Sequence, residues 1–176
     1  MERHIGIYPG TFDPVHTGHI AFATQAMREC KLDEIYFLPE PRPRNKPNAG
    51  EISERARLLE YELAKSAGLR VFCPLSKQYT IKETLPELSN KFENTKFTML
   101  VGSDVFKNIS DWNDVEILLS GINIAVGLRG HDTADDIHAT AQKTKKKLDI
   151  EMNYKIIHTP ETRHISSSQV RNKHSH

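Results

Sequence analysis

The sequence predicts one α/β domain in which a parallel sheet is covered by helices on both faces. Three observations predict it: short apolar runs alternate with segments of helical periodicity, no repeat or linker divides the chain, and 38% of its 176 residues are hydrophobic. A chain of this length can bury one sizeable core. We therefore expect a single domain over residues 1–176.

Six short apolar runs are each typical of a strand of about five residues. These runs are His4–Tyr8, Glu34–Leu38, Leu69–Cys73, Lys96–Val101, Ile122–Val126 and Tyr154–His158. Helical patterns alternate with them, and a helix that crosses over from one strand to the next allows the two strands to run parallel. We therefore expect a parallel sheet.

Two helices are predicted in the first half of the chain from the spacing of apolar residues. The first covers about 17–30, and its inward residues are Ile20, Ala23, Thr24 and Met27. The second covers about 53–66, and its inward residues are Ala56, Leu59, Leu63 and Ala67. Both apolar faces are expected to pack on the sheet.

Two further helices are predicted from their end signals. One begins at Thr80, because Thr80 and Glu83 have the spacing of a capping box. The other covers about 133–148, and its lysine-rich end suits the negative end of a helix dipole. The proline-rich segment Pro39–Gly50 is expected to be a long loop within the domain.

Charge and composition argue against several classes of protein. The formal net charge of +1 supplies no extended positive field, so we expect no binding to polymeric nucleic acid. No run of about 18 apolar residues occurs, so we expect no membrane span and a cytoplasmic location. Cys30 and Cys73 lack metal-ligand spacing and are expected to be buried thiols.

The stretch GTFDPVHTGHI at residues 10–20 connects the first predicted strand to the first helix. In open parallel sheets, ligands bind at the carboxyl ends of strands beside such turns. Gly10 allows close approach of the backbone, and His16 and His19 lie at the helix start, where N–H groups and the helix dipole favour a phosphate. Two alternatives stay open. The histidines could be zinc ligands, although no third ligand is evident and Gly18 interrupts the pair, or they could simply cap and pack.

Residues 10–19, GTFDPVHTGH, resemble the signature of the nucleotidyltransferases that carry an HxGH motif, and residues 165–171, ISSSQVR, resemble their second signature. The two signatures bracket nearly the whole chain. The resemblance implies a Rossmann-like parallel sheet and the transfer of AMP or CMP from a nucleoside triphosphate to a phosphate, with pyrophosphate released and Mg²⁺ assisting. Ser166 and Gln169 also have the spacing of a capping box, which would place Ser167 in the first turn of a helix near Arg171.

The ends and the middle of the chain resemble different members of this superfamily. YPGTFDP and ISSS resemble phosphopantetheine adenylyltransferase. YTIKETL at residues 79–85, GSD at 102–104 and Trp112 resemble nicotinate-nucleotide adenylyltransferase, as does the basic segment 43–46. The middle therefore favours nicotinate mononucleotide as acceptor, with phosphopantetheine as the alternative. The chain is short after Arg171 for that family, which leaves open whether it forms a homo-oligomer.

The resemblance implies three groups of site residues. The catalytic residues would be His16, His19 and Arg171. The ATP-binding residues would be Gly10, Thr11, Phe12, His16, Gly18, His19, Gly102, Asp104, Ile165, Ser166, Ser167 and Arg171. The acceptor-binding residues would be Lys46, Arg55, Tyr79, Thr80 and Trp112. No residue is assigned to a metal, and a core role for Trp112 and a structural role for Asp13 stay open.

The implied partners are small molecules, ATP and a pyridine mononucleotide, with Mg²⁺ accompanying ATP. A function from another class is a nucleotide-binding regulator that keeps the fold but has lost turnover. The intact His16, His19 and Arg171 favour the enzyme, because phosphoryl transfer needs residues that position the phosphates and stabilise charge.

Overall fold

The computed structural model describes residues 2–43 and 48–159. Its strands are β1 (Arg3–Gly10), β2 (Glu34–Pro39), β3 (Leu69–Val71), β4 (Thr95–Gly102), β5 (Asn123–Gly127) and β6 (Tyr154–Ile157). Its helices are α1 (Thr17–Glu29), α2 (Ile52–Leu63), α3 (Ile81–Lys91), α4 (Ser103–Phe106), α5 (Val115–Gly121) and α6 (Ala134–Leu148), with a 3-10 turn at Ile109–Asp111. Every predicted strand and helix is present, although β3 is shorter than predicted.

The described strands form one parallel sheet in the order β3-β2-β1-β4-β5-β6. This order confirms the predicted Rossmann-like α/β fold. The chain first builds outward from β1 through β2 and β3, and then returns to build outward on the other side from β4. Sheets of this kind bind ligands at the carboxyl ends of the two strands that flank the reversal, which here are β1 and β4.

Helices cover both faces of the sheet, as predicted. α1 and α2 pack on one face and α3 to α6 pack on the other, each helix contributing to one of two separate clusters of buried side chains. Close packing of α1 needs a small residue on the sheet, because a Cβ on Gly127 would lie 2.8 Å from the ring of Phe22. The glycine that ends β5 therefore lets α1 approach the strand.

The inward face of α1 matches the prediction in part. Ala23 is buried, and Ile20 and Met27 pack half-buried against the same cluster, as predicted. Thr24 is half-buried, and the other buried residues of the helix, His19, Phe22 and Ala26, were not predicted. The difference arises because Phe22 packs over Gly127 and the His19 ring lies 5.2 Å from that of Phe12. Both contacts depend on residues outside the helix, so the periodicity of α1 alone does not contain them.

The inward face of α2 also includes an unexpected residue. Leu59 and Leu63 are buried as predicted, but Arg55 lies one turn before them on the same face and is only 3% exposed. Ala56 is half-buried, and Ala67 lies beyond the helix and is exposed.

The helix caps follow the sequence closely. Thr133 and Asp136 form a reciprocal capping box at the start of α6. At α3, the Thr80 hydroxyl accepts a hydrogen bond from the Glu83 N–H at 3.2 Å, as predicted. The return bond is different, because the Thr80 N–H donates to the Thr84 hydroxyl at 3.2 Å and not to Glu83. The predicted capping box at Thr80 is therefore half correct.

The connection from β4 to β5 contains α4, the 3-10 turn and α5, which the sequence analysis did not predict. Each is too short to show a clear helical repeat. The cysteine prediction is also corrected, since Cys30 is half-buried but Cys73 is exposed. Cys73 is exposed because β3 ends at Val71. Among the described helices, none has both the length and the apolar character needed to cross a membrane.

Candidate active site

The turn between β1 and α1 is built around a buried phenylalanine. Phe12 is 3% exposed, and its ring lies 5.2 Å from those of His19 and Phe37. Glycine is required at position 10 because a Cβ there would lie 2.9 Å from the Phe12 ring. The missing side chain at Gly10 therefore makes room for the Phe12 ring. The expected contacts of Gly10, Thr11 and Phe12 with ATP stay predictions.

His16 and His19 meet at the first turn of α1, with Gly18 between them. Their rings stack with centroids 3.7 Å apart, and both side chains are buried. The backbone N–H of His16 donates to Nδ1 of His19 at 3.2 Å. Because Nδ1 accepts this bond, the neutral His19 ring carries its proton on Nε2. His19 is therefore prepared as a hydrogen-bond donor beside a helix N-terminus, an arrangement that suits an anion.

The two alternatives for the histidines can be compared with this geometry. The bond from His16 to His19 is the capping role that one alternative expected, and it places the proton of the neutral His19 ring on Nε2. For the zinc alternative, the described residues contain no group of three or more His, Cys, Asp or Glu side chains placed to hold a metal ion. The His19 nitrogen facing the backbone is, in addition, already an acceptor.

The carboxyl ends of β4 and β5 bring an acid and a base together. Nε of Arg129 lies 3.5 Å from Oδ1 of Asp104, and a Cβ on Gly102 would come within 2.5 Å of both atoms. Asp104 is 64% exposed and so is accessible to a ligand. The backbone N–H of Arg129 donates to the buried Ser103 hydroxyl at 2.9 Å, which holds the two strand ends together.

Two further residues of this edge, Arg129 and Tyr8, were not among the predicted site residues. Tyr8 is buried near the end of β1, and its ring centroid lies 6.1 Å from that of His19. Burial raises the pKa of Tyr8 to about 12, and the nearby Arg129 opposes that rise. The signal that could have located Arg129 is its position two residues after the glycine that ends β5.

The predicted acceptor residues that the structure describes are largely engaged with the protein itself. Arg55 donates to three backbone carbonyls. The Tyr79 hydroxyl donates to the Pro39 carbonyl at 2.9 Å, and burial raises the pKa of Tyr79. Trp112 is half-buried and packs against the core on the α3 side of the sheet, in line with the alternative of a core role. An acceptor contact by Arg55, Tyr79, Thr80 or Trp112 stays a prediction.

Several predicted site residues lie outside the described residues. They are Lys46, Ile165, Ser166, Ser167 and Arg171. Asp13 is described, and its Oδ2 accepts a hydrogen bond from the Gly50 N–H at 3.3 Å. This bond is in line with a structural role for Asp13, and a direct role of its carboxylate in the site stays a prediction.

Known proteins resemble this chain over most of its length. The cytidylyltransferase-like family model matches residues 7–173. A protein of Lachnoclostridium phytofermentans named probable nicotinate-nucleotide adenylyltransferase is 33% identical over 159 residues, which are 87% of this chain and 76% of that protein. A protein of the same name from Neisseria meningitidis serogroup A is 29% identical over 178 residues, with 96% of this chain and 87% of the relative covered.

A solved structure shares the fold. The nicotinic acid mononucleotide adenylyltransferase of Plasmodium falciparum, complexed with NaAD, superposes with a TM-score of 0.77. The match covers 97% of this chain and 83% of that protein at 22% sequence identity. At this identity the likeness concerns the arrangement of strands and helices.

Proposed function

Because this chain belongs to the family of nicotinate-nucleotide adenylyltransferases, we propose that the carboxyl ends of β1, β4 and β5 bind ATP and hold it where nicotinate mononucleotide can attack it. The reaction transfers AMP from ATP to the mononucleotide, forming deamido-NAD in NAD biosynthesis. An oxygen of the acceptor phosphate forms the new bond to the α-phosphorus, and the bond from that phosphorus to pyrophosphate breaks. The observation that carries the proposal is the hydrogen bond from His16 to His19, which prepares a donor at the start of α1.

In this proposal the protein positions phosphates and stabilises charge, and no covalent intermediate is needed. His16 and His19 hold the triphosphate and the developing pyrophosphate, and Gly18 lies in the helix turn that presents its N–H groups to them. Asp104 beside Gly102 binds the ribose hydroxyls of ATP. The segment with Ile165, Ser166, Ser167 and Arg171 adds further donors to the phosphates, as the family resemblance implies.

The site would take Mg²⁺ together with the triphosphate. Mg²⁺ prefers oxygen ligands and is commonly held by one or two carboxylates together with substrate phosphates. Two carboxylates lie near the carboxyl ends of the strands in the described residues. Asp104 is exposed but lies near Arg129, and Asp13 accepts a bond from Gly50. This donor set fits a cation held mainly by the substrate phosphates, so Mg²⁺ would bind as part of MgATP and would neutralise charge on the phosphates. The cytoplasmic location and a homo-oligomeric state stay predictions.

The acceptor is tested by measuring pyrophosphate release with ATP and each of nicotinate mononucleotide, nicotinamide mononucleotide and phosphopantetheine. The first turn of α3 after Thr80 presents N–H groups and a positive dipole end, which favour a carboxylate over an amide. We expect kcat/KM for the nicotinate nucleotide to exceed that for the nicotinamide nucleotide by at least about tenfold, or about 1.4 kcal/mol, which one charge-assisted contact can supply.

A Trp112→Ala variant refines this test. Stacking depends on the pyridine ring and not on its substituent. The variant should therefore lower kcat/KM for both pyridine mononucleotides and reduce the ratio between the two values only slightly. Faster turnover of phosphopantetheine than of either pyridine nucleotide would show that the end signatures identify the acceptor. Release with none of the three would favour the nucleotide-binding regulator.

Lys46→Ala is expected to raise the KM for the acceptor more than the KM for ATP. The expected role of Lys46 is to steady the acceptor phosphate, and the two substrates present their phosphates to different groups. Steady-state kinetics with each substrate varied in turn measure the two constants. An equal rise in both KM values would place Lys46 on ATP. Lys146→Ala, a change of an exposed lysine on α6, provides the control.

A further inference from the structure

The guanidinium of Arg55 lies where three segments of the chain meet. Its Nε donates to the Gly50 carbonyl at 2.7 Å, its Nη1 to the Thr11 carbonyl at 2.6 Å and its Nη2 to the Glu40 carbonyl at 2.7 Å. The residue is 3% exposed. Thr11 belongs to the turn that the proposed function assigns to ATP, while Glu40 and Gly50 lie at the two described ends of the segment that joins β2 to α2.

We propose that Arg55 is a positioning residue that fixes the ATP-binding turn against both of these ends and thereby sets where the two substrates lie relative to each other. The inference rests on the proposed function for the identity of the substrates. It differs from the role implied by the family resemblance, in which Arg55 contacts the acceptor itself. The distinction matters because a contact residue affects one substrate, whereas a residue that joins two binding segments affects both.

The chemistry of the side chain suits this role. A guanidinium directs its N–H groups outward in one plane at fixed angles, so a single side chain can hold three acceptors in one geometry. Bonds from a charged donor are stronger than those between neutral groups. Lysine concentrates its donors at one point and cannot reproduce the three directions. Loss of Arg55 would therefore release three carbonyls together.

Neighbouring contacts join the same segments. The Glu40 N–H donates to the Gly10 carbonyl at 2.9 Å, and the Gly50 N–H donates to Asp13 Oδ2 at 3.3 Å. The turn at residues 10–13 is thus bonded independently to both ends of the segment. We call the hydrogen bonds that join residues 10–13 to Glu40 and Gly50 the seam. Arg55 is the member of this seam that contacts Thr11, Glu40 and Gly50 at once.

Arg55 also contributes charge. No ion pair within 4.0 Å includes Arg55 in residues 2–43 and 48–159, because its partners are neutral carbonyls. Its positive charge lies beside the turn that is proposed to bind phosphates, where the Asp13 carboxylate that accepts from Gly50 offsets part of it.

The test compares Arg55→Lys with Arg57→Lys, a matched change of an exposed arginine on the same helix. Amide hydrogen exchange of the ligand-free full chain and steady-state kinetics with ATP and nicotinate mononucleotide are measured on both. For Arg55→Lys we expect exchange to rise about tenfold in residues 10–13, at Glu40 and Arg42, and in residues 48–51, with β4 and β5 unchanged. We expect kcat to fall about tenfold and the KM values of both substrates to rise by similar factors. Arg57→Lys should match the wild type.

Two outcomes would overturn the proposal. A rise in the acceptor KM alone, with exchange unchanged, would make Arg55 a contact residue. A uniform rise in exchange, with kinetics per folded molecule unchanged, would make it merely structural. If Arg55→Lys fails to fold, Asp13→Ala opens the same seam without touching the buried charge, and it should raise exchange in residues 48–51. The exchange result needs no substrate, so it is independent of which acceptor the wild-type enzyme prefers.

Discussion

Replacing His19 by alanine is expected to leave the fold intact and to reduce turnover by about 10²-fold or more, the scale for losing a preorganised charge-stabilising donor. The His16 N–H holds Nδ1 of His19, so the proton on Nε2 is fixed before substrate binds. Alanine removes this donor from the start of α1, where pyrophosphate carries its developing charge. His16→Ala should have a similar effect, because it removes the ring stacked on His19 at 3.7 Å.

Circular dichroism and steady-state rates measured on the same preparations check this expectation. His138→Ala is the matched control, because His138 is an exposed histidine of α6 whose ring bonds to the Tyr154 hydroxyl. The control should turn over at the wild-type rate. A folded His19→Ala variant with unchanged turnover would contradict the proposed role of the histidine pair.

Phe12→Ala is expected to lower the free energy of unfolding by about 3–5 kcal/mol, a large part of the stability of an ordinary domain. The Phe12 ring is buried against Tyr8, His19 and Phe37, at centroid distances of 5.3, 5.2 and 5.2 Å. Its loss leaves a cavity under the turn. The same change should loosen His19, and turnover should fall as well.

A Phe12→Gly variant distinguishes the contribution of the ring to stability from the cost of the backbone conformation at residue 12. Phe12 has φ of 47°, a conformation that costs a residue with a Cβ about 1 kcal/mol or more relative to glycine. Both variants lose the ring, so Phe12→Gly should be more stable than Phe12→Ala by roughly 1 kcal/mol. Urea unfolding of the three proteins measures the difference. A glycine variant less stable than the alanine variant would mean that the left-handed conformation is not kept in solution.

The local patterns of the sequence determined the succession of strands and helices. A strand such as 96–101 or a cap such as Thr133 is encoded by neighbours in the chain, through a short apolar run or a hydrogen bond to a nearby amide. The turn with His16 and His19 was likewise located from the sequence, because a glycine, a proline and a helix start occur there together. The family resemblance, and not this local chemistry, pointed to the acceptor.

Only the tertiary structure decided what several of these residues touch. Arg55 lies four residues before Leu59, on the inward face of α2, but its charge gives no reason to expect burial. It is buried because the carbonyls of Thr11, Glu40 and Gly50 come from segments that fold around it. Gly10 is required by the ring of Phe12, and the ion pair of Asp104 with Arg129 joins the ends of two strands. Local hydrogen bonds and periodicity depend on residues a few positions apart, so the sequence contains them. Contacts between distant segments exist only after the strands have taken their order in the sheet, and it is that order which determined how the site is assembled.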